Sequence, residues 1–300
     1  MSELIISTTN LTKQYGKKKA VDNVSIHIRQ GEIYGFIGRN GAGKTTFMKM
    51  ISGLSSQTSG EISLFGAQGT ESDRMRSRIG TLIEAPGLYP NMSAYENLRL
   101  KTISVGIHKP GYIEDLLKLV GLSNVAKTPS KKFSLGMKQR LGIAMALVGE
   151  PDLLVLDEPI NGLDPQGIVE VRDILLKLNK ERHITILISS HILEELSKIA
   201  TSYGIINNGR LIAEMTSEEL FAQCEEKVEI KVDTPAAVSP LLDSLGLTKY
   251  KTVDAGTIEV FDALDRIPDI AAAIVTKDIR LNGITKKNEN LEDFYLGITK

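Results

Sequence analysis

Residues 38–45, GRNGAGKT, have the types and the spacing that phosphate binding requires. They fit the pattern G-x-x-x-x-G-K-[ST], in which glycines let successive backbone N–H groups turn inward and approach a phosphate closely. In such a loop we expect Lys44 to reach the β- and γ-phosphates of a nucleoside triphosphate, and the Thr45 hydroxyl to bind Mg²⁺. The stretch therefore predicts a site for the phosphates of a nucleotide.

The elements on either side of this loop match its chemistry. Residues 33–37, IYGFI, form a short apolar run that is typical of a buried strand. Residues 46–51 are predicted to be helical, and Gly53 closes that helix. The dipole at a helix N-terminus favours a bound anion. The order of strand, glycine loop and helix thus supports the interpretation of the motif.

A second chemical signal lies at residues 152–159, DLLVLDEP. Four apolar residues predict a buried strand, and two carboxylates follow at its C-terminal end, where an open α/β sheet places its ligands. We interpret Asp157 as a ligand of Mg²⁺. Glu158 points the other way on the pleat, so it is free to orient a water molecule. An acidic pair after a strand is common, and this interpretation depends on the phosphate loop upstream.

Two weaker signals concern groups that could contact a nucleotide. Tyr15 precedes a turn and could stack on a purine base, although core or edge packing is the alternative. Ser134 is a predicted helix N-cap, and the turn that it forms with Gly136 could bind an anion. An ordinary capped helix is the other interpretation of that pair.

Two further residues follow strands that are predicted near the phosphate loop. Glu84 comes after the strand at residues 79–83 and could contact Mg²⁺ or the attacking water, or be a solvated loop charge. His191 comes after the strand at residues 185–189 and could donate to a γ-phosphate, or simply start a helix.

Composition limits the function classes. The net charge of −1 gives no electrostatic case for nucleic-acid binding. The single cysteine, Cys224, cannot form an internal disulfide, which fits a reducing compartment. The N-terminus does not resemble a signal peptide, and no apolar run approaches 18 residues, so no membrane insertion is expected.

Taken in order over residues 2–222, these motifs resemble the ATP-binding subunit of an ABC transporter. The resemblance implies ATP and Mg²⁺ as cofactors. Residues 38–45 match the family's Walker A motif, and LLVLDE matches Walker B. The residues that the resemblance places on ATP are Tyr15, Gly38, Arg39, Asn40, Gly41, Ala42, Gly43, Lys44, Thr45 and Thr46.

The resemblance also implies roles for the other motifs. Those residues are Glu158, His191 and Lys44 in catalysis, Thr45, Asp157 and Glu84 around the metal, Ser134 and Gly136 in the signature motif, and Asp164 in the D-loop. The signature of one copy is expected to complete the ATP site of a second copy. The resemblance therefore implies a homodimer whose closure is driven by ATP binding.

The chain departs from the family pattern in two places. Leu135 and Met137 stand where the signature usually has glycine and glutamine, while Ser134 and Gly136 match it. Glu84 stands where most members carry the glutamine of the Q-loop. This second departure resembles the subgroup that exports lantibiotic- or bacitracin-like peptides and protects the producing or resistant cell.

The expected fold class is α/β: a P-loop ABC ATPase domain with an antiparallel β subdomain and a helical subdomain. We expect that domain at residues 1–222 and a small α+β extension at residues 223–300. In the extension, strands are predicted at 227–232 and 257–260, and helices at 236–245 and 267–275. A structural or dimer-supporting appendage is the preferred interpretation of the extension.

The expected function is ATP hydrolysis that powers peptide export through separate integral membrane permeases. The expected location is cytoplasmic, on the inner face of the cell membrane through those permeases, with no nucleic-acid partner. The alternatives are the ATPase subunit of another drug or multidrug exporter and a soluble ABC ATPase outside transport.

Overall fold

The computed structural model of the chain describes residues 3–223, 227–261, 265–277, 279–287 and 291–299. The interpretation of Cys224 falls outside these residues. The chain divides into two compact units, Met1–Ser217 and Glu218–Lys300.

The first unit contains two sheets and a group of helices. Its strands are β1 (Leu4–Tyr15), β2 (Lys18–Val24), β3 (His27–Arg29), β4 (Ile33–Ile37), β5 (Ser59–Leu64), β6 (Ala67–Gln68), β7 (Ile79–Leu82), β8 (Leu153–Asp157), β9 (Thr185–Ser190), β10 (Ser202–Asn207) and β11 (Arg210–Thr216). Its helices are α1 (Lys44–Ile51), α2 (Thr70–Met75), α3 (Ala94–Val105), α4 (Tyr112–Leu119), α5 (Leu135–Ala146), α6 (Pro165–Arg182) and α7 (Leu193–Ser197), and α8 (Ser217–Gln223) follows at the boundary.

The central sheet has the order β11-β10-β4-β9-β8-β7. All neighbouring strands in it are parallel except the hairpin of β10 and β11. Every residue of β4 and of β8 is buried, as expected for inner strands of a parallel sheet that is covered on both faces. The apolar runs IYGFI and LLVLD supply the side chains that this environment requires.

The second sheet is antiparallel and has the order β2-β1-β5-β6, with β3 also paired to β1. Residues 24–28, VSIHI, have the apolar spacing of a single strand, but the structure divides them between β2 and β3. There the N–H of Ile26 donates to the Thr8 side-chain hydroxyl at 3.1 Å instead of to a backbone carbonyl of the neighbouring strand. Ile6 and Leu11 of β1 are fully buried in the core that this sheet shares with α1 and the central sheet.

The helical segment between β7 and β8 begins with a capping box, as the S-x-x-E spacing of Ser93 and Glu96 predicts. The Ser93 hydroxyl accepts from the Glu96 N–H at 3.2 Å, and the Glu96 carboxylate accepts from the Ser93 N–H at 2.7 Å. α3 ends at Gly106, which has a φ of +79°, and α4 begins after Gly111. The loop between them contains His108, as predicted.

The second unit contains one four-stranded antiparallel sheet. Its elements are β12 (Lys227–Val232), α9 (Pro235–Ser244), β13 (Tyr250–Asp254), β14 (Thr257–Val260), α10 (Ile267–Thr276), β15 (Leu281–Lys287) and α11 (Leu291–Ile298). The sheet order β13-β14-β12-β15 with the succession β-α-β-β-α-β is ferredoxin-like. The predicted strands and helices of this segment are confirmed, and the structure adds β13 and β15.

Candidate functional site

The ends of three neighbouring parallel strands bring the predicted chemical residues to one edge of the central sheet. Ile37 at the end of β4 is paired with Ser190 of β9, and Ser189 of β9 is paired with Asp157 of β8. Because the strands are parallel, the segments that follow them leave at the same edge. The glycine loop, the acidic pair and His191 therefore meet there.

The glycine loop is shaped by close approach to the rest of the fold. Gly43 has a φ of +114°, which L side chains rarely adopt, and a Cβ atom there would overlap the carbonyl oxygen of Ala20. A Cβ atom on Gly38 would lie 2.6 Å from the carbonyl oxygen of Ile206. These two positions need glycine so that the loop can lie against β2 and β10.

The first turn of α1 offers donors for an anion. Gly43 is its N-cap and has no side chain that could bond the first N–H groups. The N–H groups of Lys44, Thr45 and Thr46 have no partner within the helix, since the first turn lacks preceding carbonyls. With the helix dipole, this arrangement fits a phosphate group.

The Lys44 ammonium is buried, with 5% of the residue exposed. It donates to the carbonyl oxygens of Gly38 at 2.5 Å and Arg39 at 3.3 Å, and lies 3.1 Å from Glu158 Oε1. A buried ammonium is tolerated only where such partners compensate it. Glu158 Oε1 forms this ion pair but no hydrogen bond among the described residues. Lys44 and Glu158 both line the cavity described below, so a phosphate oxygen bound there could contact the Lys44 ammonium.

A hydroxyl and a carboxylate form the candidate metal site. Thr45 Oγ1 donates to Asp157 Oδ2 at 2.7 Å, and Ser189 Oγ donates to Asp157 Oδ1 at 2.6 Å. These hard oxygen ligands suit Mg²⁺, which is commonly held by one or two protein groups together with phosphates and water. No three His, Cys, Asp or Glu side chains converge on a metal site anywhere in the described residues. The donor set fits a magnesium ion that a nucleotide brings with it.

Glu158 is directed away from that pair by an unusual backbone conformation. Its φ is +50°, the left-handed region that few non-glycine residues adopt. Its Oε2 lies 2.8 Å from His191 Nδ1. The Ser189 hydroxyl also accepts from the Glu158 N–H at 2.9 Å. Carboxylate and imidazole thus form a pair at the mouth of the loop, and His191 would meet a phosphate with its other ring nitrogen, Nε2.

A polar cavity of about 620 Å³ lies over these groups. Its lining residues are Tyr15, Lys18, Lys19, Ala20, Asn40, Gly41, Gly43, Lys44, Thr45, Thr46, Glu158, Asn208 and Gly209. Tyr15, with 54% of its surface exposed, leaves its ring available for stacking. The cavity has the mixture of donors, a cation and an aromatic surface that a nucleotide requires.

Sequence analysis missed the wall of the cavity that the β10–β11 turn provides. The Gly209 N–H donates to the Ala42 carbonyl at 2.9 Å, and the Asp22 N–H donates to the Gly209 carbonyl at 2.7 Å. The Asp22 carboxylate accepts from Lys19 Nζ at 2.6 Å and from Arg210 Nε at 2.9 Å. These bonds hold the pKa of Asp22 below its ordinary value. The only available sequence signal was the dipeptide Asn-Gly, which is typical of a hairpin turn.

The signature and D-loop positions do not line this cavity. Ser134 caps α5, where its hydroxyl accepts from the Met137 N–H at 3.2 Å, and the neighbouring Leu135 is 47% exposed. Gly136 lies in the first turn of the same helix. Asp164 caps α6 and accepts from the Gly167 N–H at 3.1 Å.

Glu84 also lies outside the cavity lining. Its carboxylate accepts from Lys49 Nζ at 2.6 Å. The structure thus gives Glu84 a lysine partner, and its predicted role as a metal ligand stays a prediction.

The described part of the chain has no helix that is long and apolar enough to cross a membrane. The family model described as "ABC transporter" matches residues 21–161. The bacitracin transport ATP-binding protein BcrA of Bacillus licheniformis is 43% identical over 97% of this chain and 96% of its own length. The lantibiotic transport ATP-binding protein SrtF of Streptococcus pyogenes is 48% identical over 70% of this chain and 90% of its own length.

Solved structures resemble the fold as well. The dimeric structure of the ATP-binding cassette MJ0796 in a post-hydrolysis state, bound to ADP and Pi, has a TM-score of 0.64 and 25% identity, covering 71% of this chain and 98% of that one. Together with the phosphate loop and the Asp157–Glu158 pair, these similarities show that the chain belongs to the ATP-binding subunits of ABC transporters, whose ATP hydrolysis is coupled to transport.

Proposed function

We propose that this subunit powers the export of a lantibiotic- or bacitracin-like antimicrobial peptide and so protects the cell that makes it or resists it. The observation that carries the proposal is the assembled site of Lys44, Thr45, Asp157, Glu158 and His191, in a chain whose relatives BcrA and SrtF are named for bacitracin and lantibiotic transport. Glu84 at the Q-loop position also supports this subgroup.

Each group at the sheet edge has a role in ATP hydrolysis. Lys44 and the N–H groups that begin α1 hold the β- and γ-phosphates, which a positive charge and a helix dipole stabilise. Thr45 and Asp157 hold Mg²⁺, which neutralises charge that develops on the phosphates. Glu158 accepts a proton from the attacking water, and His191 orients Glu158 and contacts the γ-phosphate.

The proposal includes a homodimer. Ser134 and Gly136 do not line the cavity of their own chain, so they are available to a second copy. Ser134 already presents its hydroxyl at the start of α5, where a phosphate would also meet the helix dipole. Dimer closure would pass the binding energy of ATP to separate membrane permeases, which would also hold the subunit at the inner face of the cell membrane.

A resistance assay tests the proposal. The chain is expressed with the permease subunits that copurify with it, and tolerance is compared for bacitracin, a lantibiotic and an unrelated small drug. The wild type should raise tolerance to at least one peptide, and Glu158→Gln should not. Lys109→Met is a matched control, because Lys109 forms an exposed ion pair with Glu150 at 3.2 Å that is outside the cavity lining.

Two results would contradict the proposal. Tolerance to the small drug alone would indicate another class of drug exporter. An active ATPase with permease partners but no effect on either peptide would reject the peptide substrate.

A further inference from the structure

A short ion pair connects the phosphate-loop helix to the end of β7. Lys49 Nζ of α1 donates to Glu84 Oε1 at 2.6 Å. The Lys49 side chain is 32% exposed and that of Glu84 is 65% exposed. The pair is thus at the surface, and its lysine belongs to the helix whose first turn contains Thr45 of the candidate metal site.

Lys49 lies one helical turn after Thr45, so the two side chains share a face of α1. Thr45 bonds Asp157 at 2.7 Å. The hydrogen bond that Lys49 donates to Glu84 is the main cause of a raised Lys49 pKa, and the charge of Asp157 contributes to it. The Lys49 ammonium is therefore within the field of both carboxylates.

Glu84 is held in a defined conformation. Its φ of +65° lies in the left-handed region, which a non-glycine residue adopts only where the surroundings impose it. A carboxylate here adds a negative charge close to a site that already contains Asp157 and Glu158. A triphosphate adds more negative charge still, so an uncompensated Glu84 would oppose the binding of a nucleotide without its metal.

We propose that Lys49 is a positioning residue that neutralises Glu84 and keeps its carboxylate away from the metal site of Thr45 and Asp157. This inference rests on the proposed nucleotide and magnesium site. It assigns to Lys49 the function of making a glutamate tolerable at this position. It also implies that the effect of Glu84 on nucleotide affinity depends on whether Mg²⁺ is present.

The consequence is a specific change in the dependence of nucleotide affinity on Mg²⁺. Without Lys49, the free Glu84 carboxylate repels the metal-free nucleotide, which has the higher negative charge, more strongly than the magnesium complex. The ratio of affinity with Mg²⁺ to affinity with a chelator should therefore rise. A lysine that acted on the nucleotide directly through its own charge would change this ratio as well, and it would do so whether or not Glu84 is present. The double variant with Glu84→Gln therefore separates the two cases.

The experiment is an equilibrium titration of the purified full chain with the imido analogue of ATP, which is not hydrolysed, with Mg²⁺ and with EDTA. The variants are Lys49→Met, Glu84→Gln, the double variant Lys49→Met/Glu84→Gln, and Lys49→Arg. Lys109→Met again serves as the matched control for loss of an exposed lysine. Methionine is a good helix former, so α1 should be retained, and thermal unfolding of each variant checks the fold.

We expect Lys49→Met to raise the ratio of affinity with Mg²⁺ to affinity with EDTA by about two- to fivefold at low salt, which is the range expected for a partly exposed ion pair. The rise should shrink at physiological ionic strength, where charges are screened. The double variant should return to the Glu84→Gln ratio, and Lys49→Arg should behave as the wild type.

Other results would overturn the inference. If the double variant keeps the ratio of Lys49→Met, Lys49 does not act through Glu84. If Lys49→Met leaves the ratio unchanged, the pair is an ordinary surface ion pair. If the wild type binds no nucleotide under either condition, the proposed nucleotide function fails, and the inference that rests on it fails with it.

Discussion

The two units of the chain differ in how many polar and charged side chains they bury. Among the described residues, every buried polar or charged side chain lies in the first unit, and Lys44, Asp157 and Ser189 at the sheet edge are examples. In the second unit, alternate residues of β12 are buried and apolar, while Lys227, Glu229 and Lys231 remain partly or fully exposed. Burial of a charge is costly, so it is retained where the site needs that charge.

The charges of the second unit are compensated by one another. Lys227 lies 2.9 Å from Glu259, and Lys287 lies 2.6 Å from Glu229. These pairs join neighbouring strands of the sheet and need no ligand. The groups around Lys44 are also paired, but Glu158 Oε1 and the first N–H groups of α1 retain capacity for more partners. The residues that we propose to bind the nucleotide therefore lie in the first unit.

Glu158→Gln should have the largest effect. An amide cannot accept the proton of the attacking water, so turnover should fall by about 10²–10⁴-fold while ATP binding is retained. We expect a stable ATP-bound homodimer on size-exclusion chromatography. A variant that stays monomeric with ATP and Mg²⁺ would contradict the model in which two copies close on the nucleotide, unless permeases are needed for closure.

Lys44→Ala removes the cation that faces the phosphates. A preorganised charge of this kind is typically worth about 10²–10³-fold in rate, so ATP binding or turnover should be lost. Nucleotide titration and a phosphate-release assay measure the two effects. If the variant keeps more than half of the wild-type activity, the assignment of the phosphate loop is wrong.

His191→Ala should bind ATP but hydrolyse it slowly. The ring nitrogen Nδ1 contacts Glu158 at 2.8 Å, and loss of this orientation should cost about 10–100-fold in turnover. Unchanged turnover, measured at saturating ATP, would return His191 to the role of an ordinary residue at the start of a helix.

The second unit should respond to pH through Glu229. Lys287 holds the pKa of Glu229 below its ordinary value of 4.5, so the stabilisation is present above that pH and is lost as the pH falls through the lower, folded value. Glu229→Gln and Lys287→Met should each lower the unfolding temperature at neutral pH. Calorimetry should show this difference from the wild type shrinking below about pH 4.5. A constant difference at every pH would mean that the pair does not contribute as a charge pair.

Removal of residues 223–300 should have the smallest effect on nucleotide binding. Every residue that lines the cavity lies upstream of the cut. We expect ATP affinity within about twofold of the wild type, a difference of about 0.4 kcal/mol. Loss of binding by a folded truncation would show that the second unit contributes to the site, and the contrast between the units would no longer hold.

Local patterns allowed much of the site to be predicted from the sequence. The glycine loop at residues 38–45, the capping box at Ser93 and the acidic pair after β8 each depend on residue types within a few positions. Backbone conformations that only glycine tolerates, and hydrogen bonds between neighbours, impose such patterns directly. The strands that the sequence analysis missed include β10 and β11 in the first unit and β13 and β15 in the second. Exposed or partly exposed residues run through β11, β13 and β15, whereas β10 is almost wholly buried.

The sequence by itself was enough to predict which groups hold phosphate and metal, because a loop, a strand end and a helix start each require particular residues. Tertiary structure decided which distant groups join them. β4, β9 and β8 are neighbours in the sheet although they are far apart in the chain, and this order places Ser189 on Asp157. The N–H of Gly209 in the β10–β11 turn donates to the Ala42 carbonyl of the phosphate loop. Glu84, which the sequence predicted near the metal, accepts a hydrogen bond from Lys49. Sheet order and register are set by packing over the whole unit, which no local spacing encodes.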